Sequence, residues 1–374
     1  MKGFSMNWKA YKKSIAATTV ALVAGILVGC SSTPSKKSGS TSYDADKAKF
    51  GAKYNGRQFM PYGTHFQSGR LSLNATPVNQ NDFLQQLSNV RTYSSLANIH
   101  SLAYGKVSRW ISSGANINDL AKYGISTRLM RGEDGYQNVL MTGYYSPVIK
   151  ARRTPQGQYQ HPIYAMPSNK RFSRAEIYAG ALQGQGLELA YSNSMLDNFL
   201  LGVQGSGYVD FGDGRLNYFA YAGQNGFKYA SIGRLLVEDG EIPKEKMSVQ
   251  AIREWGARNP SRVQGLLERN PSYVFFQNDP YGKVKGSAGV PLVPLASVAS
   301  DRSIVPSGSV LLVEMPLIDN NGNWTGKHEM RLMVALDVGG AVKGHHFDLY
   351  QGIGDKAGHV AGLMKHYGRV WVLN

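Results

Sequence analysis

Residues 335–350 read ALDVGGAVKGHHFDLY, and this stretch near the C-terminus decides the fold. From Arg331 to Val338 the residues alternate, with apolar side chains on one face and Asp337 on the other, as expected of a strand. Two glycines then break the pattern, and a second short strand carries Asp348. We therefore expect two carboxylates on neighbouring strands, joined through a glycine-rich turn that contains Lys343. Such a pair can converge on one point of a groove, as acid–base chemistry on a sugar requires.

A third aspartate, Asp301, lies further upstream. It precedes the turn Ile304-Val305-Pro306, which leads into an apolar strand from Val310 to Val313. The three aspartates thus sit in three separate segments, each close to a turn and a strand.

These segments resemble the membrane-bound lytic murein transglycosylase A family, which has three aspartates. Its pattern places one before an Ile-Val-Pro-x-Gly turn, one at the start of Asp-x-Gly-Gly-x-x-x-Gly, and one within Phe-Asp-Leu-Tyr. Further similar stretches are TGYYSP (142–147), SRAEIY (173–178) and VQGSGYVDFG (203–212). The resemblance covers most of the chain from about Asp82 to the C-terminus.

The resemblance implies a mostly β fold with some α. A six-stranded double-psi β-barrel would carry an inserted, mostly β second domain, with the substrate groove between them. The barrel with its helical segments would comprise residues 45–143 and 279–374, and the insertion residues 144–278. The implied reaction cleaves the β-1,4 bond between N-acetylmuramic acid and N-acetylglucosamine in peptidoglycan, leaving 1,6-anhydro-N-acetylmuramic acid ends.

A strand aspartate is more often solvated or salt-bridged than catalytic, but the place of Asp348 in the Phe-Asp-Leu-Tyr motif of the resembling family implies that it is the catalytic acid. A period of two puts His346, Asp348 and Tyr350 on one face of the strand, with Phe347 and Leu349 packed on the other. Asp337 is expected to orient the acid or raise its pKa, although an aspartate before two glycines also caps turns. Asp301 is expected to be structural or to support the site.

The expected substrate-binding residues lie in two segments and one loop. Small residues allow close backbone approach, and tyrosine rings stack on sugars, although tyrosines at strand spacing are also common in cores. The hydroxyl of Thr142 is expected to bond the acid or the sugar. The candidates are Thr142, Gly143, Tyr144 and Tyr145 in the first segment, Gln204, Ser206, Gly207 and Asp210 in the second, and Lys343 in the loop.

Other chemistries fit the sequence less well. Gly205-Ser206-Gly207 lacks the lysine of a phosphate loop, and the chain contains no nucleophile-elbow serine. Adjacent strand residues point to opposite faces, so His345 and His346 are not expected to share a metal ion. We expect no metal and no cofactor. Two alternatives stay open: a peptidoglycan hydrolase that uses two carboxylates, and a non-catalytic cell-wall-binding lipoprotein.

The composition indicates a folded body and an anionic partner. The apolar fraction is 42% and the formal net charge is +16. A basic surface suits nucleic acid, but a wall polymer with lactyl and peptide carboxylates serves equally well. We expect peptidoglycan glycan strands rather than nucleic acid, with room for other wall-remodelling proteins as partners.

The N-terminus predicts a lipid anchor. Lysines precede an apolar run from Ile15 to Val28, which ends in Leu27-Val28-Gly29-Cys30. This is typical of a secretory signal, and its ending resembles a bacterial lipobox. We expect residues 1–29 to be removed, Cys30 to carry lipid, and residues 30–44 to form a flexible tether. The protein would then be an outer-membrane lipoprotein facing the periplasm; the alternative is a single membrane-spanning anchor, for which the run is short.

Local patterns also predict helices. Apolar residues at helical spacing predict several between Asp82 and Tyr123, the first capped by Asn81 or Asp82. Ser173 and Glu176 have the spacing of a capping box. Another helical stretch is expected from Val249 to Asn259.

Overall fold

The computed structural model describes residues 51, 53, 64–68, 71–132, 137–169 and 171–374. The predicted signal peptide, the tether and Cys30 lie outside these residues. Within the described ranges, no helix has both the length and the apolar character needed to cross a membrane.

The strands and helices are numbered in chain order. The strands are β1 (Phe66–Ser68), β2 (Thr127–Met130), β3 (Val139–Ser146), β4 (Val148–Arg152), β5 (His161–Tyr164), β6 (Glu188–Ser192), β7 (Gly207–Asp210), β8 (Leu216–Gln224), β9 (Val274–Asp279), β10 (Ser297–Ala299), β11 (Val310–Ile318), β12 (Trp324–Asp337), β13 (His346–Ile353) and β14 (Lys365–Leu373). The α-helices are α1 (Gln80–Tyr93), α2 (Leu96–Ile99), α3 (Ser101–Ser112), α4 (Arg174–Tyr178), α5 (Met195–Gln204), α6 (Ile232–Glu238), α7 (Val249–Arg258), α8 (Pro260–Glu268) and α9 (Gly354–Leu363). Two 3₁₀ helices span Ile117–Tyr123 and Lys244–Lys246.

The first sheet contains a closed ring of strands. Its order is β1-β2-β14-β11-β12-β10-β13-β3, and β14 also pairs with β3, which closes the circuit. Alternate side chains of the ring strands fill its interior, among them Met141, Leu311, Met333, Phe347 and Val370. Burying one such side chain stabilises the fold by roughly 1.5–3 kcal/mol. The period of two predicted for residues 346–350 is confirmed, since Phe347 and Leu349 both lie in this interior.

Two strand pairs in the ring are parallel, β10 with β12 and β13 with β3. Strand β10 lies between β12 and β13 and pairs with both. The expectation that Asp337 and Asp348 lie on neighbouring strands was therefore wrong. The loop 338–345 does not form a hairpin but crosses the end of β10, which arrives from a distant part of the sequence.

Helices α1 and α3 cover one outer side of the ring. Phe83, Leu87 and Trp110 pack against Leu332 and Leu336 on the outer face of β12. The N-cap of α1 is Asn79 rather than Asn81 or Asp82. Its side chain makes no cap hydrogen bond, because it instead accepts from the backbone N–H of Leu332 and donates to the carbonyl groups of Leu332 and Leu295.

The second sheet has the order β5-β6-β4-β7-β8-β9 and is covered by helices α4 to α8. The expectation of a mostly β region was wrong in this respect, because these helices form a core of their own around Leu200, Leu236 and Trp255. Sequence patterns missed α5, whose apolar run also suits a buried strand. The predicted capping box at Ser173 and Glu176 is confirmed.

Four tyrosines join the two sheets. Tyr144 and Tyr350 belong to the ring of strands, and they pack against Tyr208 and Tyr218 of the second sheet. Ring centroids lie 5.3 Å apart for Tyr144 and Tyr350, and 5.4 Å apart for Tyr208 and Tyr218. We call these four residues the tyrosine cluster.

Candidate active site

Asp348 lies in the middle of β13, enclosed by strands on both sides. It is aligned with Thr142 on β3 and with Ala299 on β10, and only 1% of its surface is exposed. The hydroxyl of Thr142 lies 2.7 Å from its Oδ1 atom. Its Oδ2 atom is buried and has no hydrogen-bond partner among the described residues. One carboxyl oxygen is therefore held in place, and the other has unused bonding capacity.

The surroundings of Asp348 favour its neutral form. Burial raises its pKa to about 7; the hydrogen bond from Thr142 opposes this rise, and the negative charge of Asp337 adds to it. A carboxyl group with this pKa is protonated in a large fraction of molecules near neutral pH. It can therefore donate a proton and later accept one.

Asp337, at the end of β12, is held by donors from three residues, of which Ser287 contributes both its backbone N–H and its side chain. Its Oδ1 atom accepts from the backbone N–H groups of Ser287 at 2.8 Å and Val338 at 2.9 Å. Its Oδ2 atom accepts from the hydroxyl of Tyr144 at 3.1 Å. Burial raises the pKa of Asp337 to about 6, although these hydrogen bonds oppose the rise. Its position is thus fixed more rigidly than that of Asp348.

Asp301 follows β10 and anchors the crossing loop. Its Oδ2 atom accepts from the backbone N–H of Gly344 at 3.0 Å, and its Oδ1 atom accepts from Ser303. Burial alone would raise the pKa of Asp301, but these hydrogen bonds lower it below the usual value. The anchored loop presents Lys343, which is exposed.

Strand β3 divides its predicted site residues between two faces. Thr142 bonds to Asp348, Tyr144 to Asp337, and Ser146 to the hydroxyl of Tyr350 at 3.0 Å. The residues between them face the other way. A Cβ atom on Gly143 would lie 2.8 Å from Cα of Ala361 in α9, and Tyr145 packs on α9 at Gly358.

Tyr145 also hydrogen-bonds to Arg253 of α7, and burial raises its pKa. The structure therefore places Gly143 and Tyr145 in the packing of α9, away from the two carboxyls.

Of the four residues predicted in the second segment, Ser206 is the one that reaches the site. Ser206 bonds to Tyr218 of the tyrosine cluster. Gln204 is buried at the end of α5, and Gly207 packs closely on Pro147. Asp210 accepts from the backbone N–H of Gly212 at 2.7 Å, so it stabilises the turn between β7 and β8.

Three residues that the structure places in the site were assigned no role from the sequence. His346 lies with its Nε2 atom 2.8 Å from the Thr142 hydroxyl and its Nδ1 atom 3.1 Å from the carbonyl oxygen of Ala341. Tyr350 shares the face of Asp348, and both could be recognised from the period of two. Ser287 contributes its backbone N–H and its side chain to Asp337, and no motif in the sequence around it indicates this role.

The two adjacent histidines have separate partners. His345 Nε2 lies 3.0 Å from His65 Nδ1, whereas His346 bonds to Thr142. Across the part of the chain that the structure describes, no three His, Cys, Asp or Glu side chains are grouped so as to hold a metal ion.

Comparison with known proteins places this geometry in context. The family model for the MltA specific insert domain matches residues 140–277, and the model for the 3D domain matches residues 296–374. The chain is 50% identical over 357 residues to a membrane-bound lytic murein transglycosylase A of Escherichia coli K12, covering 94% of this chain and 93% of that protein. A protein of the same description from Vibrio cholerae is 49% identical over 288 residues, covering 76% and 78% of the two chains.

Solved structures of E. coli MltA are also similar to this chain. E. coli MltA with bound chitohexaose superposes with a TM-score of 0.79 at 51% identity, covering 85% of this chain and 97% of that one. Another crystal structure of E. coli MltA gives a TM-score of 0.72 at 51% identity, covering 87% and 98%.

Proposed function

This chain belongs to the membrane-bound lytic murein transglycosylase A family, and we propose that Asp348 carries out both proton transfers of its reaction. The protein is a peptidoglycan lytic transglycosylase, a carbon–oxygen lyase that acts on a polysaccharide. It cleaves the β-1,4 bond between N-acetylmuramic acid and N-acetylglucosamine and leaves 1,6-anhydro-N-acetylmuramic acid ends.

The reaction needs one group that first gives and then takes a proton. Protonated Asp348 donates to the bridging oxygen as the bond from that oxygen to C1 of N-acetylmuramic acid breaks. The resulting carboxylate takes the proton of the C6 hydroxyl, whose oxygen bonds to C1 and closes the anhydro ring. Asp348 ends in its starting form, and no water is consumed.

One observation carries this assignment. Asp348 Oδ2 is a buried carboxyl oxygen without a hydrogen-bond partner among the described residues, on a group whose pKa is raised by burial to about 7. We propose that the glycosidic oxygen becomes its partner. Both oxygens of Asp337 already accept hydrogen bonds, which suits a group that stays ionised and raises the pKa of its neighbour.

The glycan is proposed to lie between the ring and the second sheet, along the tyrosine cluster. Tyr144 belongs to this cluster and Ser206 bonds to it, and the exposed Lys343 can attract carboxylates of the wall polymer. The chitohexaose bound by the E. coli relative supports an oligosaccharide groove. Gly143, Tyr145, Gly207 and Asp210 have packing or turn roles, so we leave them out of the proposed contact set.

We also propose that the ring is a six-stranded double-psi β-barrel, with residues 45–143 and 279–374 forming the barrel domain and residues 144–278 inserted. The two parallel strand pairs and the loop crossing β10 support this topology. For location, we propose an outer-membrane lipoprotein facing the periplasm, anchored through Cys30; the membrane-bound relatives support association with a membrane.

Product analysis tests the function. Purified peptidoglycan is digested with the purified protein, and the released muropeptides are analysed by mass spectrometry. We expect anhydro ends, which lack the mass of one water relative to reducing ends. Reducing ends would indicate a two-carboxylate hydrolase, and intact glycan would indicate a wall-binding protein.

A further inference from the structure

His346 is connected to the proposed acid through a single hydroxyl group. Thr142 Oγ1 lies 2.7 Å from Asp348 Oδ1 and 2.8 Å from His346 Nε2. A threonine hydroxyl has one hydrogen to donate, so it can donate to only one of these two atoms at a time. The atom to which Thr142 donates depends on the protonation states of Asp348 and His346.

The backbone fixes the tautomer of His346. Its Nδ1 atom lies 3.1 Å from the carbonyl oxygen of Ala341, which can only accept a hydrogen bond. Nδ1 must therefore carry the hydrogen, and Nε2 of the neutral ring is an acceptor. His346 Nε2 and an ionised Asp348 thus compete for the same hydrogen of Thr142.

We propose that His346 is a positioning residue that acts through Thr142: by accepting the Thr142 hydrogen, it favours the protonated form of the Asp348 carboxyl. The inference rests on the proposed role of Asp348 as proton donor. In the substrate-free protein, the hydrogen of protonated Asp348 lies on Oδ1 and donates to Thr142, Thr142 donates to Nε2, and Nδ1–H donates to Ala341; this hydrogen passes to Oδ2 when the glycosidic oxygen binds there. When Asp348 ionises, Thr142 turns to the carboxylate, and the buried Nε2 atom loses its donor.

The charged and titratable groups around these hydrogen bonds favour the arrangement in which Asp348 is protonated and His346 is neutral. Lys365 of β14 acts on His346, while Asp337 of β12 and Tyr144 of β3 interact electrostatically with Asp348. Burial lowers the pKa of His346 to about 4 and raises that of Asp348 to about 7. Of the two side chains, Asp348 is therefore the one that binds a proton near neutral pH. A buried acceptor left without its donor costs free energy whenever Asp348 is ionised.

Two substitutions separate this role from simple anchoring of the loop. In His346→Asn the amide can occupy the place of Nδ1 and still donate to Ala341, but the acceptor for Thr142 is gone. In His346→Gln the longer side chain puts an amide oxygen near the place of Nε2, but the donor to Ala341 is lost. His345→Gln is the matched control, because that imidazole contacts His65 instead.

The experiment measures the titration of the Asp348 carboxyl carbon by NMR in aspartate-labelled protein without substrate. The signal is the one that Asp348→Asn removes. We expect His346→Asn to lower the Asp348 pKa by about half a unit to one unit, as the loss of one hydrogen bond implies. His346→Gln and His345→Gln should stay near the wild-type value.

The basic limb of the pH profile for anhydro-muropeptide release should move with the measured pKa. In a Thr142→Val background, His346→Asn should cause no further shift, because the connection is already broken. An unchanged pKa in His346→Asn, or equal shifts in the Asn and Gln variants, would overturn the proposal.

A measurement on the wild-type protein guards against variants that do not fold. The ¹⁵N signals of His346, identified through their connection to Phe347, should show hydrogen on Nδ1 and none on Nε2 at neutral pH. Hydrogen on Nε2 would refute the proposal. Because the two NMR readouts need no turnover, they are independent of whether Asp348→Asn still cleaves glycan, which tests the proposed function.

Discussion

Asp337 and Asp348 take equivalent places on either side of β10, each aligned with Ala299. Their backbones are thus two strand spacings apart, roughly 4.8 Å each. Burial raises the pKa of Asp348 most, and the charge on Asp337 raises it further. An ionised carboxylate on one side of β10 therefore helps to keep the carboxyl on the other side protonated.

Asp348→Asn should fold and bind glycan strands but fail to cut them. The amide fits the carboxyl's space yet can neither deliver nor recover a proton. General acid–base assistance is worth about 10²–10⁴-fold, and here one group serves both transfers, so the loss should reach the top of that range. Release of anhydro-muropeptides is measured beside co-sedimentation with insoluble peptidoglycan.

Two comparisons make this prediction sharp. Asp319→Asn, at an exposed turn, should retain full activity, and Asp337→Asn should lose activity less completely. Appreciable cleavage by folded Asp348→Asn would remove Asp348 from the mechanism and make Asp337 the candidate.

The stability of the protein should depend on the titration of Asp348. Its pKa rises from 3.8 to about 7 on folding, so between these values the folded chain holds a proton that the unfolded chain releases. The free energy of unfolding should therefore fall as pH increases through this window, by at most roughly 1.4 kcal/mol per pH unit for this group. Asp348→Asn lacks the effect. In thermal unfolding, the Tm of the variant should rise relative to that of the wild type as pH increases from 4 to 8. A difference in Tm that stays constant over this range would contradict the raised pKa.

Thr142→Val keeps the side-chain shape and removes the hydroxyl. A hydrogen bond to the ionised carboxyl is stronger than one to the neutral form, so its loss should raise the pKa of Asp348. Activity should extend to higher pH, while the maximal rate falls because the carboxylate formed in the first step is less stabilised. Rates are compared across pH with Thr142→Ser, which retains the hydroxyl. Identical pH profiles for the Val variant and wild type would leave Thr142 as an ordinary strand residue.

Asp301→Ala should loosen the crossing loop. It removes the acceptor for Gly344 and Ser303, which should lower the free energy of unfolding by about 1–2 kcal/mol. Denaturant unfolding measures the loss, and Asp301→Asn, which keeps one acceptor oxygen, should lose less. Because we propose a supporting role for Asp301 rather than proton transfer, the folded Ala variant should retain measurable cleavage, and complete inactivity at full stability would assign it a direct role.

Cys30→Ala should abolish lipid attachment. The basic and apolar leader that ends in Leu27-Val28-Gly29-Cys30 motivates this prediction. Labelled fatty acid and membrane fractionation are the measurements, with Ser31→Ala as the control that should remain lipidated. Full lipid labelling of the Cys30→Ala chain would refute the anchor.

The site was predictable where it depends on a single strand. The alternation around Asp348 identified the face with His346 and Tyr350, and the hydroxyl of Thr142 does meet the carboxyl. What failed depends on contacts between distant segments. Nothing near Asp337 reveals that β10 enters between β12 and β13, because strand order is set by the packing of the whole ring.

The donors to Asp337 could not be predicted from the sequence either. Ser287 contributes a backbone N–H, which every residue except proline possesses. Likewise, Gly143 and Tyr145 belong to the same motif as Thr142 and Tyr144, but the face that each occupies follows from where α9 packs on β3.

The alternate residues of β3 form three bonds to three different site residues, at Asp348, Asp337 and Tyr350. A deletion of one residue of β3 before Thr142 would turn Thr142, Tyr144 and Ser146 to the opposite face at once, since strand side chains alternate. The strand also leads directly into β4 of the second sheet. Chimaeric enzymes that exchange the region after Ser146 should therefore keep the native β3 with its own β13, and join the foreign segment only beyond it.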